Sequence, residues 1–256
     1  MNKEIAQLFQ LGGSVAVITG GGAGIGRETA LTLAGAGADI AVLDVNLAGA
    51  QETAAMVEQT GRKALALDCN VADHDAVVRC FDSIVETLGR IDILVNNAAI
   101  VRRLPSLDTP PEVWRQVMSV NLDGAFFCAV EAARRMKDGG TVINIASIMG
   151  FSGGVYPNPS YYASKGAIVN LTRALAVEWA DRNIRVNAVA PTWVKTEFTK
   201  TMLDDPATTE KLLALMPLKA YADTTDVAAA VLYLAAPASK MVTGHTLPVD
   251  GGYLAK

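Results

Sequence analysis

The sequence predicts an α/β fold in which helices cover both faces of a parallel sheet of about seven strands. Short apolar runs rich in β-branched residues alternate with longer stretches of helical periodicity, and a glycine cluster follows the first run. The runs are almost continuously apolar, which is typical of strands buried on both faces. Because no repeat, low-complexity tract or linker divides the 256 residues, we expect one doubly wound domain spanning 1–256.

Each predicted element follows from one of these two patterns. The apolar runs predict strands at Val15–Thr19, Asp39–Asp44, Lys63–Asp68, Ile91–Asn97, Thr141–Ser147, Ile184–Pro191 and Thr246–Asp250. Helical periodicity predicts helices at about 26–37, 46–60, 73–88, 111–120, 123–136, 160–181 and 225–235, the first of them ended by glycine. The irregular stretches 97–110, 148–159 and 191–224 are long enough to carry substrate loops.

The composition argues against several classes of function. The net charge is −4, and no basic run indicates binding to nucleic acid or to an anionic membrane surface. Cys69, Cys80 and Cys128 are odd in number and scattered, and His74 and His245 are the only histidines, so we expect neither disulfides nor a metal site. The N-terminus lacks the apolar core of a signal peptide, and the longest apolar stretch is too short to span a bilayer. We therefore expect a cytoplasmic protein.

The segment "TGGGAGIG" joins the first predicted strand to its helix. Gly20, Gly24 and Gly26 follow the spacing GxxxGxG, and Gly22 and Ile25 lie in the same loop. Glycines permit positive φ and a close approach of the backbone to a pyrophosphate, which the helix N-terminus also attracts. A flexible turn would explain the glycines alone, but their place in a βαβ unit favours a Rossmann-type dinucleotide site formed by these five residues.

Asp44 ends the second predicted strand, twenty residues after Gly24. A carboxylate there accepts hydrogen bonds from the adenosine ribose hydroxyls and repels a 2′-phosphate. Neither position 23 nor position 45 offers a Lys or Arg to offset that repulsion. We therefore expect NAD rather than NADP as the cofactor, an expectation that a kinetic preference for NADP would contradict.

The segment "PSYYASKGA" places Tyr161 four residues before Lys165. The spacing YxxxK alone arises easily by chance. Here Ser147 closes the fifth predicted strand, Asn96 and Asn97 close the fourth, and Asn121 lies between two helical stretches. Ligands bind beyond the carboxyl ends of the strands of an open parallel sheet, so these side chains are expected at the same rim as the glycine loop.

These motifs together resemble the short-chain dehydrogenase/reductase family over nearly the whole chain. The matching segments are, in order, "TGGGAGIG", "VLDV", "NNAA", "VNLDG", "INIAS", "YYASK", "APTWVKT" and "VTGHTLPVDGG". The resemblance implies a catalytic tetrad of Asn121, Ser147, Tyr161 and Lys165. It also implies cofactor contacts from Tyr161, Lys165, Asn70, Val71, Asn96, Val194 and Thr196.

Three positions depart from the family pattern. Asn70 replaces the usual acid, Ala99 replaces a glycine, and Thr192 replaces a glycine and is followed by the bulky Trp193. An amide at position 70 can still hydrogen-bond an adenine amino group. The other two changes are expected to reshape the pocket without removing a catalytic group.

The expected reaction exchanges hydride between nicotinamide and a substrate carbon, which leaves the protein to move the hydroxyl proton. A free tyrosine has a pKa of about 10, too high for an efficient base near neutrality. We expect the Lys165 ammonium, on the same helix face, to stabilise the Tyr161 phenolate and to hold ribose hydroxyls. Ser147 is expected to orient the substrate oxygen and Asn121 to anchor a water that links Lys165 to solvent, whereas Tyr162 should pack elsewhere.

The segment "AAIVRRLPS" gives the clearest indication of the substrate. Arg102 and Arg103 lie in a loop expected at the mouth of the site, where a guanidinium can bind a carboxylate in bidentate fashion or simply be solvated. Trp193 can stack on a sugar ring or serve only in packing. The two arginines and the ending "VDGGYLAK" resemble sugar-acid members of the family, which act on gluconate or 2-keto-3-deoxy sugar acids.

Alternative functions follow from the same residues. The segment "EVWRQVMSVNLDG" also resembles sugar-alcohol dehydrogenases, so polyol oxidation is the nearest rival. Reduction of a 3-oxoacyl thioester is less favoured because Asp44 argues against NADPH, and a non-catalytic dinucleotide sensor should have lost part of the tetrad. The resemblance further implies a homo-oligomer, expected to be a homotetramer. The stretch 191–224 is expected to form a lid with a mobile turn at "DDPATTE".

Overall fold

Seven strands in the described part of the chain form one parallel sheet. In the computed structural model, which describes residues 2–197, 199 and 203–256, the strands lie in the order β3-β2-β1-β4-β5-β6-β7. Their bounds are β1 Val15–Thr19, β2 Asp39–Asp44, β3 Ala64–Asp68, β4 Ile93–Asn96, β5 Gly140–Ile145, β6 Ile184–Pro191 and β7 Thr246–Val249. Every neighbouring pair is parallel, which confirms the predicted doubly wound fold.

Helices connect the strands and cover both faces of the sheet. They are α1 Lys3–Gln7, α2 Gly24–Gly35, α3 Leu47–Glu58, α4 His74–Leu88, α5 Pro111–Met118, α6 Gly124–Arg135, α7 Pro159–Glu178, α8 Pro206–Leu215 and α9 Thr224–Ala235. A π-helical turn, Ser119–Asp123, joins α5 to α6. In the part of the chain that the structure describes, no helix has the length and hydrophobicity needed to cross a membrane.

Apolar packing on the two faces fixes the helices against the sheet. On one face, Leu33 of α2 and Leu234 of α9 are fully buried against the strands. On the other, Phe81 of α4, Cys128 of α6 and Trp179 at the end of α7 pack in a second cluster. The strands are buried from both sides, which explains why their sequences are continuously apolar rather than alternating.

The strand order changes direction at β1. The chain runs outward from β1 through β2 to β3 and then returns to place β4 on the other side of β1. The connections on the two sides of β1 therefore diverge and leave a crevice at the carboxyl ends of the central strands. The glycine loop follows β1 directly, so it lies at the edge of this crevice.

The stretch 191–224 differs from its predicted irregular form. Residues Pro206–Leu215 form α8, and the Asp205 carboxylate accepts a hydrogen bond of 3.0 Å from the Thr208 backbone N–H at its beginning. The segment read as a mobile turn is therefore a capped helix start, with Pro206 at the first helical position. Residues 198 and 200–202, which also fall in the predicted lid, lie outside the described residues.

Gly26 and Gly35, at opposite ends of α2, provide a matched test of this packing. A Cβ on Gly26 would lie 2.2 Å from the Gly20 carbonyl oxygen, whereas a Cβ on the exposed Gly35 would meet nothing within 4 Å. We expect Gly26→Ala to lower the free energy of unfolding by about 1–3 kcal/mol. Gly35→Ala should leave it unchanged or raise it by up to about 1 kcal/mol. Urea unfolding of both variants checks this, and equal effects would contradict the packing.

Candidate active site

One deep cleft opens at the carboxyl ends of the strands. Its volume is about 720 Å³, and its walls come from the glycine loop, the ends of β2 to β6 and the three stretches predicted to carry substrate loops. The predicted site residues that line it are Gly20, Gly24, Ile25, Asp44, Asn70, Val71, Arg102, Arg103, Ser147, Tyr161, Lys165, Trp193, Val194 and Thr196. The parallel sheet thus brings residues from most of the chain to one rim.

The glycine loop divides into lining and packing residues. Gly20 and Gly24 line the cleft with φ of 62° and 53°, a conformation that favours glycine. Gly24 faces Thr196 across the cleft, since a Cβ on Gly24 would lie 3.4 Å from Thr196 Cγ2. Gly22 and Gly26 are buried behind this surface. Both glycines let the loop pack closely on its surroundings, and their expected cofactor contacts stay a prediction.

Asp44 is held by the backbone around it. Its Oδ2 accepts a hydrogen bond of 2.9 Å from the Gly22 N–H, and its Oδ1 accepts one of 2.9 Å from the Asn46 N–H. The guanidinium of Arg27, the cation that also contacts this loop, hydrogen-bonds the Gly22 carbonyl and pairs with Glu52 at 2.9 Å. The carboxylate is thus fixed in position, no cation among the described residues pairs with it, and each oxygen keeps a further lone pair.

Two adjacent asparagines at the end of β4 point in opposite directions. Asn96 is buried, and its Nδ2 donates to the Ala125 carbonyl and to Asn144 Oδ1, both at 3.0 Å. The Asn96 side chain therefore lies in the core rather than in the cleft wall, and its place by the cofactor stays a prediction. Asn97 lines the cleft instead and donates to the carbonyls of Thr19 at 3.0 Å and Gly20 at 2.8 Å. The alternation of side chains along a strand is the signal that separates the two.

Lys165 is buried beneath Tyr161 on α7. Its Nζ lies 5.7 Å from the centre of the Tyr161 ring and donates a hydrogen bond of 2.6 Å to the Ile145 carbonyl at the end of β5. Burial disfavours the charged form and lowers the pKa of Lys165 to about 8. An ammonium has three donors, so two remain for other partners in the cleft.

The pKa of Tyr161 is raised above its ordinary value, mainly by burial. The neighbouring Ser147 hydroxyl and the charge of Arg103 lower this pKa, but burial prevails. Lys165 Nζ is directed to the Ile145 carbonyl while lying 5.7 Å from the centre of the Tyr161 ring. Stabilisation of the phenolate by Lys165, with the oxidised nicotinamide adding positive charge, stays a prediction.

Ser147 and Asn121 are both tied to the backbone. Ser147 Oγ accepts a hydrogen bond of 3.1 Å from the Met149 N–H and keeps its own proton for donation. Asn121 lies in the π-helical turn, where its Oδ1 accepts from the Ile100 N–H at 2.8 Å and its Nδ2 donates to the Ile100 carbonyl at 3.0 Å and to Ser164 Oγ at 3.1 Å. The Asn121 side chain thus fixes the loop after β4, and its amide is already occupied where we expected a water.

The two arginines of the loop after β4 behave differently. Both are exposed residues that line the cleft. Arg102 folds back so that its Nη1 donates to the neighbouring Val101 carbonyl at 3.0 Å, whereas the charge of Arg103 reaches both Tyr161 and Tyr162. The structure therefore distinguishes the surroundings of Arg102 from those of Arg103, which the sequence could not do.

Trp193 is both a packing residue and a cleft residue. It is 8% exposed and packs in a cluster with Ile148 and Leu212, while part of it lines the cleft. Tyr253, which the sequence analysis did not single out, meets Trp193 edge-on at 5.7 Å between ring centres, and its hydroxyl lies 3.3 Å from Ser152 Oγ. Tyr253 thereby joins the C-terminal turn to two of the predicted substrate loops.

Tyr162 fixes the loop that precedes α7. Its hydroxyl donates a hydrogen bond of 2.7 Å to the Tyr156 carbonyl. A Cβ on Gly154 would lie 2.3 Å from the Tyr162 ring, so the loop packs directly on that ring. The two adjacent tyrosines thus differ in surroundings, since Tyr161 faces Ser147 and Tyr162 is hydrogen-bonded to the loop. Within the described ranges, no group of three His, Cys, Asp or Glu side chains is placed to hold a metal ion.

Comparison with known proteins decides the family. A family model described as enoyl-(acyl carrier protein) reductase matches residues 20–254. The 2-dehydro-3-deoxy-D-gluconate 5-dehydrogenase of Escherichia coli (strain K12) is 38% identical over 255 residues, which are 98% of this chain and 100% of that protein. The chain belongs to the short-chain dehydrogenase/reductase family. It is an oxidoreductase of the kind that acts on CH–OH groups.

Two further relatives of this short-chain dehydrogenase/reductase differ in the substrate that they name. The galactitol 2-dehydrogenase (L-tagatose-forming) of Cereibacter sphaeroides is 40% identical and covers 96% of this chain and 97% of its own. A gluconate 5-dehydrogenase from Burkholderia cenocepacia J2315, solved in complex with NADP and tartrate, is 37% identical with a TM-score of 0.94, covering 98% of this chain and 99% of its own. Homologous structures of the family thus bind a nicotinamide dinucleotide.

The buried ammonium of this short-chain dehydrogenase/reductase can be tested by titration. Because burial depresses the pKa of a cation, its destabilising effect is complete below about pH 8 and disappears as the pH rises toward 10.5. We expect one ¹³Cε lysine signal of the free enzyme to titrate near pH 8, apart from the others. That signal should be missing in Lys165→Met, and a Lys165 signal that titrates with the exposed lysines would contradict the burial.

Proposed function

We propose that this protein is an NAD-dependent dehydrogenase that interconverts a secondary alcohol and a ketone on a sugar acid, either gluconate-like or of the 2-keto-3-deoxy type. The observation that carries the proposal is that the exposed Arg103 lines the same cleft as Ser147, Tyr161 and Lys165. A guanidinium in the wall of that cleft is suited to a carboxylate on the molecule being oxidised or reduced.

The cleft fits a dinucleotide. The positive-φ glycines Gly20 and Gly24 leave space at the beginning of α2 for a pyrophosphate, and Asp44 offers carboxylate oxygens for ribose hydroxyls. Asn70 and Val71 border the expected adenine position. Ile25, Val194, Thr196, Tyr161 and Lys165 complete the proposed cofactor contacts along the same cleft.

The chain's own part in the reaction is to bind the substrate oxygen and to move its proton. When bound, the nicotinamide supplies or accepts hydride at the substrate carbon. We assign Tyr161 as the acid/base, with the Ser147 hydroxyl donating to the substrate oxygen and holding it near the phenol. Lys165, buried and fixed on Ile145, has donors left for ribose hydroxyls and contributes a positive charge below the ring. Asn121 acts by position, since it holds the loop that carries Arg103.

The preference for NAD is supported by the charges around Asp44. A 2′-phosphate would meet the carboxylate, and the nearby Arg27 is already paired with Glu52. One relative, the gluconate 5-dehydrogenase from Burkholderia cenocepacia J2315, was solved with NADP. The proposed preference for NAD therefore depends on this chain's own residues at the end of β2 and not on its family.

The rival functions differ in what they ask of the cleft. A polyol dehydrogenase needs no cation at the mouth of the cleft. Because a galactitol dehydrogenase is among the relatives, polyol oxidation is the second candidate function. A 3-oxoacyl thioester reductase would require NADPH, whose 2′-phosphate would meet the Asp44 carboxylate. A dinucleotide sensor would not need the complete set of proposed catalytic residues.

We further propose a cytoplasmic homotetramer. The exposed apolar side chains Phe126 and Val177 on α6 and α7, 42% and 81% exposed, support association between copies.

The two adjacent tyrosines give an asymmetric prediction. Tyr161→Phe should lower kcat by about 10²–10⁴-fold because it removes the proton donor, while the Kd for NAD stays unchanged. Tyr162→Phe removes only the hydrogen bond to Tyr156 and should lower kcat by less than about 10-fold. Steady-state assays of NADH formation and NAD titrations measure both effects, and the reverse order of severity would overturn the assignment.

The two arginines test the substrate class. Arg103→Ala should raise KM for gluconate-like and 2-keto-3-deoxy sugar acids by about 10-fold or more and leave the KM for polyols unchanged. Arg102→Ala, which removes a side chain folded onto Val101, serves as the matched control.

The assay covers sugar acids and polyols, each with NAD and with NADP. Equal KM values for Arg103→Ala and the wild type on every sugar acid would contradict the proposal that Arg103 binds the substrate carboxylate. A preference for polyols would favour the rival, and a preference for NADP would contradict the cofactor assignment.

A further inference from the structure

Asn158 is a buried polar residue of the cleft that the proposed mechanism does not use. It lies directly before α7, three residues before Tyr161, and forms part of the cleft wall. Its side chain belongs to a residue only 5% exposed. An amide this deeply buried is normally hydrogen-bonded, so its partners indicate what it is for.

Asn158 occupies the position before the first helical residue, where asparagine is favoured because its side chain accepts a hydrogen bond from the next turn. Here the side chain makes no such bond, and only the backbone carbonyl of Asn158 takes part, accepting from the Tyr162 N–H at 3.2 Å. Pro159 at the first helical position already stabilises the beginning of α7. The side chain of Asn158 is therefore not needed as a helix cap.

One end of the Asn158 amide is buried without a partner among the described residues. Oδ1 is enclosed and accepts no hydrogen bond, whereas Nδ2 is not among the enclosed atoms that lack a partner. A buried amide oxygen without a partner is destabilising, typically by about 1–3 kcal/mol. Such a cost is common in binding sites, where the ligand supplies the missing hydrogen bond.

The surroundings hold Asn158 in place rather than leaving it mobile. The Tyr162 hydroxyl fixes the Tyr156 carbonyl two residues earlier, and the contact between Ser152 and Tyr253 fixes the same loop at its other end. The amide is thus preorganised on the wall that Tyr161 and Trp193 also line. A preorganised donor and acceptor binds a hydroxyl without further ordering of the protein.

We propose that the Asn158 amide binds a hydroxyl group of the substrate other than the one that reacts, and so selects polyhydroxylated substrates over simple secondary alcohols. Nδ2 of the amide supplies a donor that a hydroxyl oxygen can accept. This inference deepens the proposed function, since it names a specificity-determining residue of the same cleft. Sugar acids and polyols both carry such a hydroxyl, so the role of Asn158 does not depend on which of the two is the substrate.

The test replaces Asn158 by leucine, which has a similar size and no hydrogen-bonding group, and compares it with Asn170→Leu. Asn170 is exposed on the same helix and distant from the cleft wall, so it serves as the matched control. For N158L we expect kcat/KM with polyhydroxylated substrates to fall by about 5- to 50-fold, mainly through KM. With 2-butanol, which has no second hydroxyl, kcat/KM should be unchanged, as should the Kd for NAD, and the melting temperature should stay the same or rise.

Each outcome decides the proposal. An equal loss with 2-butanol and with polyhydroxylated substrates would mean that Asn158 only maintains the site, and no loss with either would mean that it binds no hydroxyl. Both results overturn the inference. A wild-type enzyme that oxidises polyols and no sugar acid contradicts the proposed function instead, and the Asn158 comparison is then made on the polyol.

Discussion

The parallel order of the strands is the constraint on which the site depends. Because every strand points the same way and the order reverses at β1, residues as distant in the chain as Gly20 and Thr196 meet at one rim. Asp44 arrives from β2, Ser147 from β5, and Trp193 from β6, and none of them needs a loop of unusual conformation to reach the cleft. The apolar core on both faces holds this rim rigid, so the functional groups keep their distances without a bound ligand.

The placement of Lys165 couples the fold to the chemistry. Helix α7 packs across the end of β5, so the residue one turn after Tyr161 is forced under its ring and against the Ile145 carbonyl. The resulting desolvation lowers the pKa of the ammonium and leaves it charged only below about pH 8. At the same time burial raises the pKa of Tyr161, and the charge that offsets this comes from Arg103 at the cleft mouth. The acid/base function and the carboxylate recognition that we propose are therefore electrostatically linked.

The fold and much of the site follow from local patterns in the sequence. The strands Val15–Thr19, Asp39–Asp44 and Ile184–Pro191 agree with the structure at both ends, because continuous apolar runs bounded by polar residues leave little choice. The sequence could not tell Asn96 from Asn97 without the strand register, which decides which of two neighbours faces the core. Helix α8 escaped prediction because its capping Asp205 and Pro206 also fit a turn. Asn158 joins the cleft wall, and Tyr253 packs on Trp193, only through tertiary contacts, which no periodicity records.

The central claim is that one cleft holds the dinucleotide and a sugar acid so that Tyr161 and Ser147 meet the reacting oxygen and Arg103 meets the carboxylate. A crystal structure of the enzyme with NADH and a non-turnover sugar acid measures this directly. We expect the reacting carbon about 3–3.5 Å from nicotinamide C4, with the carboxylate hydrogen-bonded by Arg103. A sugar acid bound in the opposite orientation, with its carboxylate away from Arg103, would contradict the account.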